Sequence, residues 1–302
     1  MTDRTRRRRL PGPLRRGATM LLALGVLALV APWLATSRPW IDGRGSSPTL
    51  RAPVPWDPAE IRLDEALRPP SVRHPMGTDD LGRDLASRVI HGTRVSLGVG
   101  LLSALFALAL GLPLGALAGS LGGWIDAAIS RTIEAVLCLP ALLLVLALLA
   151  TAPPWLRDAP PMLRIALVLG VTGWVPIARY LRGEFLRLGA TDMAVAARAA
   201  GAGRIRVAVR HVLPSALAPV LVTASFAVAA SILLEATLSF LGLGVPPPTP
   251  TWGGLLAEAR EQIGRAWWLA TFPGVALFVT VLGCNLLGEG LRDLLDPRSP
   301  RR

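Results

Sequence analysis

Six stretches of this chain run for about 20 residues with few or no charged positions, the length a helix needs to cross roughly 30 Å of hydrocarbon. They fall at residues 17–36, 95–119, 133–152, 162–182, 216–241 and 268–288. Within them the apolar residues are continuous and do not alternate, which excludes a membrane β-barrel. No internal repeat is visible. The pattern predicts an all-α polytopic membrane protein with six transmembrane helices. Around these spans the chain divides into a basic tail (1–16), a first anchor (17–36), a long loop (37–94), a core (95–290) that includes a polar loop at about 190–214, and a second tail (291–302).

Two polar segments carry further elements. "RHPMGTDDLGRDLASRVIHGTR" in the long loop reads as an amphipathic helix in its second half, with Leu81, Leu85, Val89 and Ile90 on one face and Asp79 or Thr78 as cap. "GLGVPPPTPTWGGLLAEAREQIGRAWW" reads as a rigid proline run and a short helix, with Trp267 and Trp268 forming an interfacial aromatic belt.

Charge then orients the chain. Seven arginines against Asp3 precede the first span, which places the N-terminus in the cytoplasm. Six spans return the C-terminus, with Arg292, Arg298, Arg301 and Arg302, to the same side. The loop at 190–214, flanked by Arg179, Arg182 and Arg187, is then cytoplasmic too. Residues 37–94, with nine Arg and eight acids, form a periplasmic or extracellular loop. The first span also resembles a signal peptide in its basic start and small-residue exit. Its length favours a retained anchor, and an N-terminal sequence beginning near Ser37 would overturn this.

Composition narrows the chemistry. The 302 residues carry a net charge of +12, and all 32 basic residues are Arg. Without Lys there is no Walker-type phosphate loop and no Schiff base. The arginines are spread between apolar spans without a joint aromatic patch, which argues against nucleic-acid binding. Cys138 and Cys284 lie in apolar segments and read as small packing residues. His74, His91 and His211 lack ligand spacing, and no metal site is expected. The cluster Asp79, Asp80 and Asp84 reads as a solvated charged face. Asp126, Arg131 and Glu134 read as local ion pairing at helix spacing. No HExxH pair, Ser/Lys dyad or pair of Asp residues at span depth supports an intramembrane enzyme.

The segment "TDMAVAARAAGAGRIRVAVRHVLP" is the most punctuated stretch. Thr191 or Asp192 caps a helix through "MAVAARAA", Gly201 and Gly203 end it, and a second short helix follows to Pro214. Small residues on the first helix admit another protein's backbone, and arginines at its end anchor carboxylates. A loop that binds only anionic lipid would explain the arginines but not the alanine run or the glycines.

This segment resembles the EAA loop of ABC-importer permeases. Ala196, Ala197, Gly201, Leu213 and Pro214 stand at the pattern's positions. Val195 stands where the pattern has Glu, and His211 replaces a hydrophobic position. Three further stretches, "HPMGTDDLGRDLASRVIHGTRVSLGVG", "EATLSFLGLGVPPPTPTWGGLLAEAR" and "FPGVALFVTVLGCNLLGEGLRDLLDPR", resemble the C-type permease subunit of dipeptide, oligopeptide and nickel importers, so that the likeness covers residues 71–298. The resemblance implies a multi-pass inner-membrane subunit that performs no chemistry. It implies a sister permease, one or two ATPase subunits that hold ATP and Mg, and an extracytoplasmic substrate-binding protein, with no cofactor on this chain. The loop would be a coupling helix docked on an ATPase, with Asp192, Ala196, Ala197, Arg198, Gly201, Arg206, Leu213 and Pro214 at the contact and Asp192 standing in for the missing Glu.

Glu235 is a carboxylate near the end of the fifth span. It is read either as a pathway residue or as a residue paired at an interface. The resemblance makes di- or oligopeptides the expected cargo. A nickel chelate or another small solute is the alternative, and an ion-coupled secondary transporter, which would need mid-span ionisable groups and inverted repeats, is a third reading.

Overall fold

The computed structural model describes residues 11–37 and 52–295. Most of the basic N-terminal tail, part of the long loop and the end of the C-terminal tail lie outside the described residues. Helix α1, Gly12–Leu34, starts after Pro11 with a proline in its first turn, where the missing N–H has no intrahelical partner to lose. A Cβ on Gly17 would lie 2.4 Å from the Leu287 nitrogen, and one on Gly290 2.2 Å from the Leu14 nitrogen. The start of α1 therefore packs backbone to backbone against the end of the last helix.

Helix α2, Leu85–Leu121, spans 37 residues. The amphipathic helix and the second span are thus one helix, and Leu81 lies outside it. Its cap is neither Thr78 nor Asp79 but Asp84, whose Oδ1 accepts from the Ser87 N–H at 2.7 Å. The third span is broken. Helices α3, Gly123–Leu137, and α4, Ala141–Ala150, meet at 95°. Pro140 is responsible, because it lacks a backbone donor and drives Leu139 out of the helical region. Among the described residues five helices are each long and apolar enough to span, and the bent pair makes a sixth if it crosses as one broken span.

After the short α5, Pro154–Arg157, helix α6, Pro161–Gly189, packs along α2. Small residues set that seam: Cβ atoms on Gly111 or Gly115 would meet Ile177 or the Ala178 carbonyl at 2.8 and 2.7 Å. Asp126 pairs not locally but with Arg182 of α6, 2.7 Å from Oδ2 to Nη2, which pins α3 to α6. Arg131 and Glu134 do pair locally at 2.6 Å.

Helix α7, Asp192–Ala199, precedes α8, Arg204–Val207. No break separates α8 from the next span. A π turn at Ala208–Val212 carries the chain into α9, Leu213–Phe240. Pro214 cannot donate to an i−4 carbonyl, and the wider turn accommodates that lost bond, with Leu213 N–H donating to the Ala208 carbonyl. Helix α10, Trp252–Gln262, and helix α11, Trp267–Leu295, complete the bundle.

The bundle has two ends. One gathers α7, α8, the start of α9 and the ends of α6 and α11; the other gathers residues 52–84, α10 and the start of α11. Around α10 a core forms on Trp252, Leu85, Ile232 and Trp268. Trp268 is buried and its indole donates to the Thr78 carbonyl at 3.1 Å, so of this pair Trp267 alone is exposed in the manner of an interfacial belt.

Candidate functional site

The α7 end is built around one packed cluster. Ala194, Val207 and Val212 bury themselves against Leu181 and Phe185 of α6, and Ala197 and Leu213 pack on its edge. This sets which face of the loop looks outward. Helix α7 ends in a paired hydrogen-bond motif: the Ala202 N–H donates to the Ala197 carbonyl at 3.0 Å and the Gly201 N–H to the Arg198 carbonyl at 2.9 Å. Gly201 has φ 86°, which glycine adopts without steric cost. Thr191 occupies the cap position, but its hydroxyl donates back to the Leu188 carbonyl at 2.6 Å and makes no cap.

Two arginines fasten the loop to neighbouring helix ends. Arg198 donates to the Gly189 carbonyl at 2.8 Å, and Arg204 to the Leu121 carbonyl at 3.3 Å. Both answer unpaired carbonyls at helix C-termini, where a cation is favoured. Asp192, Ala196, Arg206 and Pro214 are exposed. Arg206 and Arg210 carry no ion pair among the described residues. Between the charges stand Met193, Val195, Ile205 and Val209, all at least 44% exposed. The outcome is a rigidly backed surface of mixed apolar and basic character, suited to a protein partner. The exposed apolar side chains were the part that charge reading missed; Ile205 and Val209, four apart within the arginine run, were its signal.

Glu235 is not part of this surface. It lies on α9 roughly 30 Å from Pro214, at about 1.5 Å per residue. It is fully buried. Ser239 donates to its Oε1 at 2.7 Å, and the Ser96 hydroxyl lies 3.4 Å from its Oε2. Ser96 in turn accepts the Trp252 N–H at 3.2 Å. Glu235 thus ties α2, α9 and the start of α10 inside the chain.

At the opposite end only Asp80 of the acidic cluster is a solvated residue. Asp79 and Asp84 are 1% and 2% exposed. Arg88 holds Glu258 with two hydrogen bonds, 2.5 and 2.9 Å, and also reaches Asp79 at 2.5 Å. Arg83 bridges the same two carboxylates at 2.7 and 3.2 Å. His74, stacked on Trp56, lies 2.8 Å from Asp84 and 3.2 Å from Glu65. Burial pushes the Asp84 carboxyl up, against the opposing pull of the Ser87 N–H and His74. Among the described residues Asp79, Asp80 and Glu258 are close enough to suggest a cation, but Arg83 and Arg88 already neutralise two of them.

Long apolar helices, a bent helix pair, a buried ionic network at one end and a rigidly backed, exposed loop at the other define a polytopic helical membrane protein. Residues 111–300 match the binding-protein-dependent transport system inner membrane component family. The chain belongs to that family. It is 38% identical over 286 residues to a putative peptide transport system permease protein of Brucella suis, covering 93% of this chain and 86% of that one. It is 39% identical over 288 residues to a di/tripeptide transport system permease protein of Pseudomonas aeruginosa, with 93% and 87% covered. A probable D,D-dipeptide transport system permease protein of Escherichia coli is 38% identical over 283 residues, with 93% and 86% covered. The fold is that of the permease in an inward-facing structure of the MetNI methionine ABC transporter, with a TM-score of 0.58 at 20% identity over 69% of this chain and 96% of that one.

Proposed function

We propose that this chain is one of two sister permeases of an ATP-driven importer for di- or oligopeptides, forming half of the translocation pathway. Its α7 end faces the cytoplasm, with both termini on that side, and docks on a separate ATPase that holds ATP and Mg. Its α10 end receives a substrate-binding protein. Lipid surrounds the bundle, and the chain holds no cofactor and no nucleic acid. The observation that carries this reading is the α7–α8 surface. Its inner face is locked into the core, while Met193, Val195, Ile205 and Val209 stand exposed among Arg198, Arg206 and Arg210. A rigid link of that kind transmits a partner's motion into the helices as a rigid-body change. Peptide cargo follows from the likeness to peptide permeases over nearly the whole chain. A nickel chelate finds no support in the histidines, since His74 is enclosed by two carboxylates and His91 rests on the Ser87 carbonyl at 3.0 Å.

The experiment is mild detergent extraction, capture of this chain and mass spectrometry of its companions, followed by ATP-dependent peptide uptake in vesicles that contain the recovered complex. A second permease, a phosphate-loop ATPase and peptide uptake are expected. Recovery of the chain alone, under conditions that keep a known importer intact, would overturn the reading.

A further inference from the structure

Several charged side chains in the long helices have no carboxylate partner among the described residues, Arg94 of α2, Arg179 of α6 and Arg292 of α11 among them. Arg182 is answered by Asp126, Arg187 by Glu184 at 2.6 Å, and Arg131 by Glu134. Arg179 of α6 has no carboxylate partner among the described residues, and it is exposed. It stands ten residues before Gly189, roughly 15 Å inside the end of α6 at about 1.5 Å per residue. It is three residues from the end of the fourth apolar stretch at residue 182, where a guanidinium reaches the interface or faces protein or a water-filled space.

The surroundings give it that space. A cavity of about 430 Å³ is lined by Leu137, Val175, Pro176, Arg179, Tyr180 and Glu184. A second, of about 540 Å³, continues between α6, α9 and α11 and shares Tyr180 and Glu184 with the first. Together they form one groove at the α7 end. On α6 the exposed positions Pro176, Arg179, Tyr180, Gly183 and Arg187 recur every three to four residues, on one helical face. The other face, through Ile177, Leu181 and Phe185, is buried in the core. An exposed stripe that carries arginines and turns away from its own bundle fits the wall of an aqueous path or of an interface.

We propose that this groove is the cytoplasmic mouth of the pathway and that Arg179 binds the C-terminal carboxylate of the passing peptide. The inference rests on the importer reading and names a substrate contact within it. A guanidinium presents a planar fork that matches a carboxylate with two parallel hydrogen bonds. Every linear peptide with a free C-terminus carries that carboxylate, whatever its side chains. Leu137, Val175 and Phe226 give the wall apolar patches that impose no side-chain identity, and Glu184 in it is already paired with Arg187. Arg179, with Arg292 a cation of this groove that has no carboxylate partner among the described residues, holds a peptide briefly and releases it, which a pathway requires.

The test compares uptake of a dipeptide with that of its C-terminal amide. Vesicles contain the whole complex, and the binding protein is saturated with either peptide. The preference of the binding protein cancels in the ratio between wild type and variant. Arg179→Gln is expected to slow the free acid roughly tenfold relative to its effect on the amide, the loss of one charge-assisted contact. Arg179→Lys is expected to recover part of the rate, since it keeps the charge and loses the fork. If Arg179→Gln fails to assemble with its partners, Arg179→Lys is read the same way, and a selective slowing of the free acid is expected. Equal slowing of both peptides would overturn the proposal in favour of a structural role, against the sister subunit or a lipid headgroup. No slowing of either would overturn it as well. A wild-type complex that moves neither peptide would defeat the importer reading itself, before any variant is compared.

Discussion

Glu235 separates two roles that a carboxylate in a span can have. A group that meets cargo must be reachable; this one is enclosed by Ser96, Ser239 and the start of α10. Its shape and hydrogen-bond capacity matter more than access to the pathway. Glu235→Gln retains an acceptor for Ser239 and is expected to leave peptide uptake close to that of wild type. Glu235→Ala leaves a cavity and two hydroxyls without their acceptor. It is expected to destabilise the chain by about 2–4 kcal/mol, measured by thermal unfolding in detergent. Uptake abolished in a stably assembled Glu235→Gln complex would restore the pathway role. From sequence the residue's depth was legible, but its partners were not. Ser96 lies 139 residues away, and nothing local in "SILLEATLSF" points to it.

At the level of elements, the ion pairs decide how segments far apart in the chain are joined. Arg88 connects α2 to α10 through Glu258, 170 residues away, and to the loop ahead of α2 through Asp79. A buried pair adds little net stability when intact, because desolvation offsets attraction, but removing one partner strands the other. Arg88→Gln is therefore expected to cost about 3–5 kcal/mol in detergent unfolding. Glu258→Gln should cost less, because that side chain is a third exposed and keeps contact with water. Equal costs would contradict the geometry. These links explain where the element reading failed. Leu81, Leu85, Val89 and Ile90 fit one helical face, yet the helix begins only at Leu85. Asp79 is drawn into the arginine pair, which leaves Asp84 to cap. Pro140 was visible as a proline, but the turn it produces depends on how α4 packs against α6.

Over the whole molecule, the apolar runs made the helical class legible, because continuous spans leave few other ways to satisfy a backbone in lipid. The loop at 190–214 was legible as a helix ended by Gly201, since left-handed turns favour glycine. What could not be read was its outward face, which follows from the burial of Ala194 and Val207 against α6. That face yields a prediction about assembly. Reversing Arg206 and Arg210 together to Glu removes exposed charges without an internal partner, so folding stability should change by no more than about 0.5 kcal/mol per site. Recovery of the ATPase with this chain should nevertheless fall sharply, read by co-purification at constant salt. Full recovery would place the partner elsewhere. The π turn at Ala208–Val212 carries a last implication. Each residue advances a helix by about 100°, so one extra residue in a single turn acts as a phase shifter between the docking loop and α9. The turn sets the azimuth at which Ile232 meets Gly100 and Glu235 meets Ser96. Deleting Val209 would leave the backbone of both helices intact, yet set the loop and the span about 100° out of phase, so that either the loop loses its packing on α6 or α9 its packing on α2. In the proposed importer such a chain would not pass the ATPase's motion on to its span.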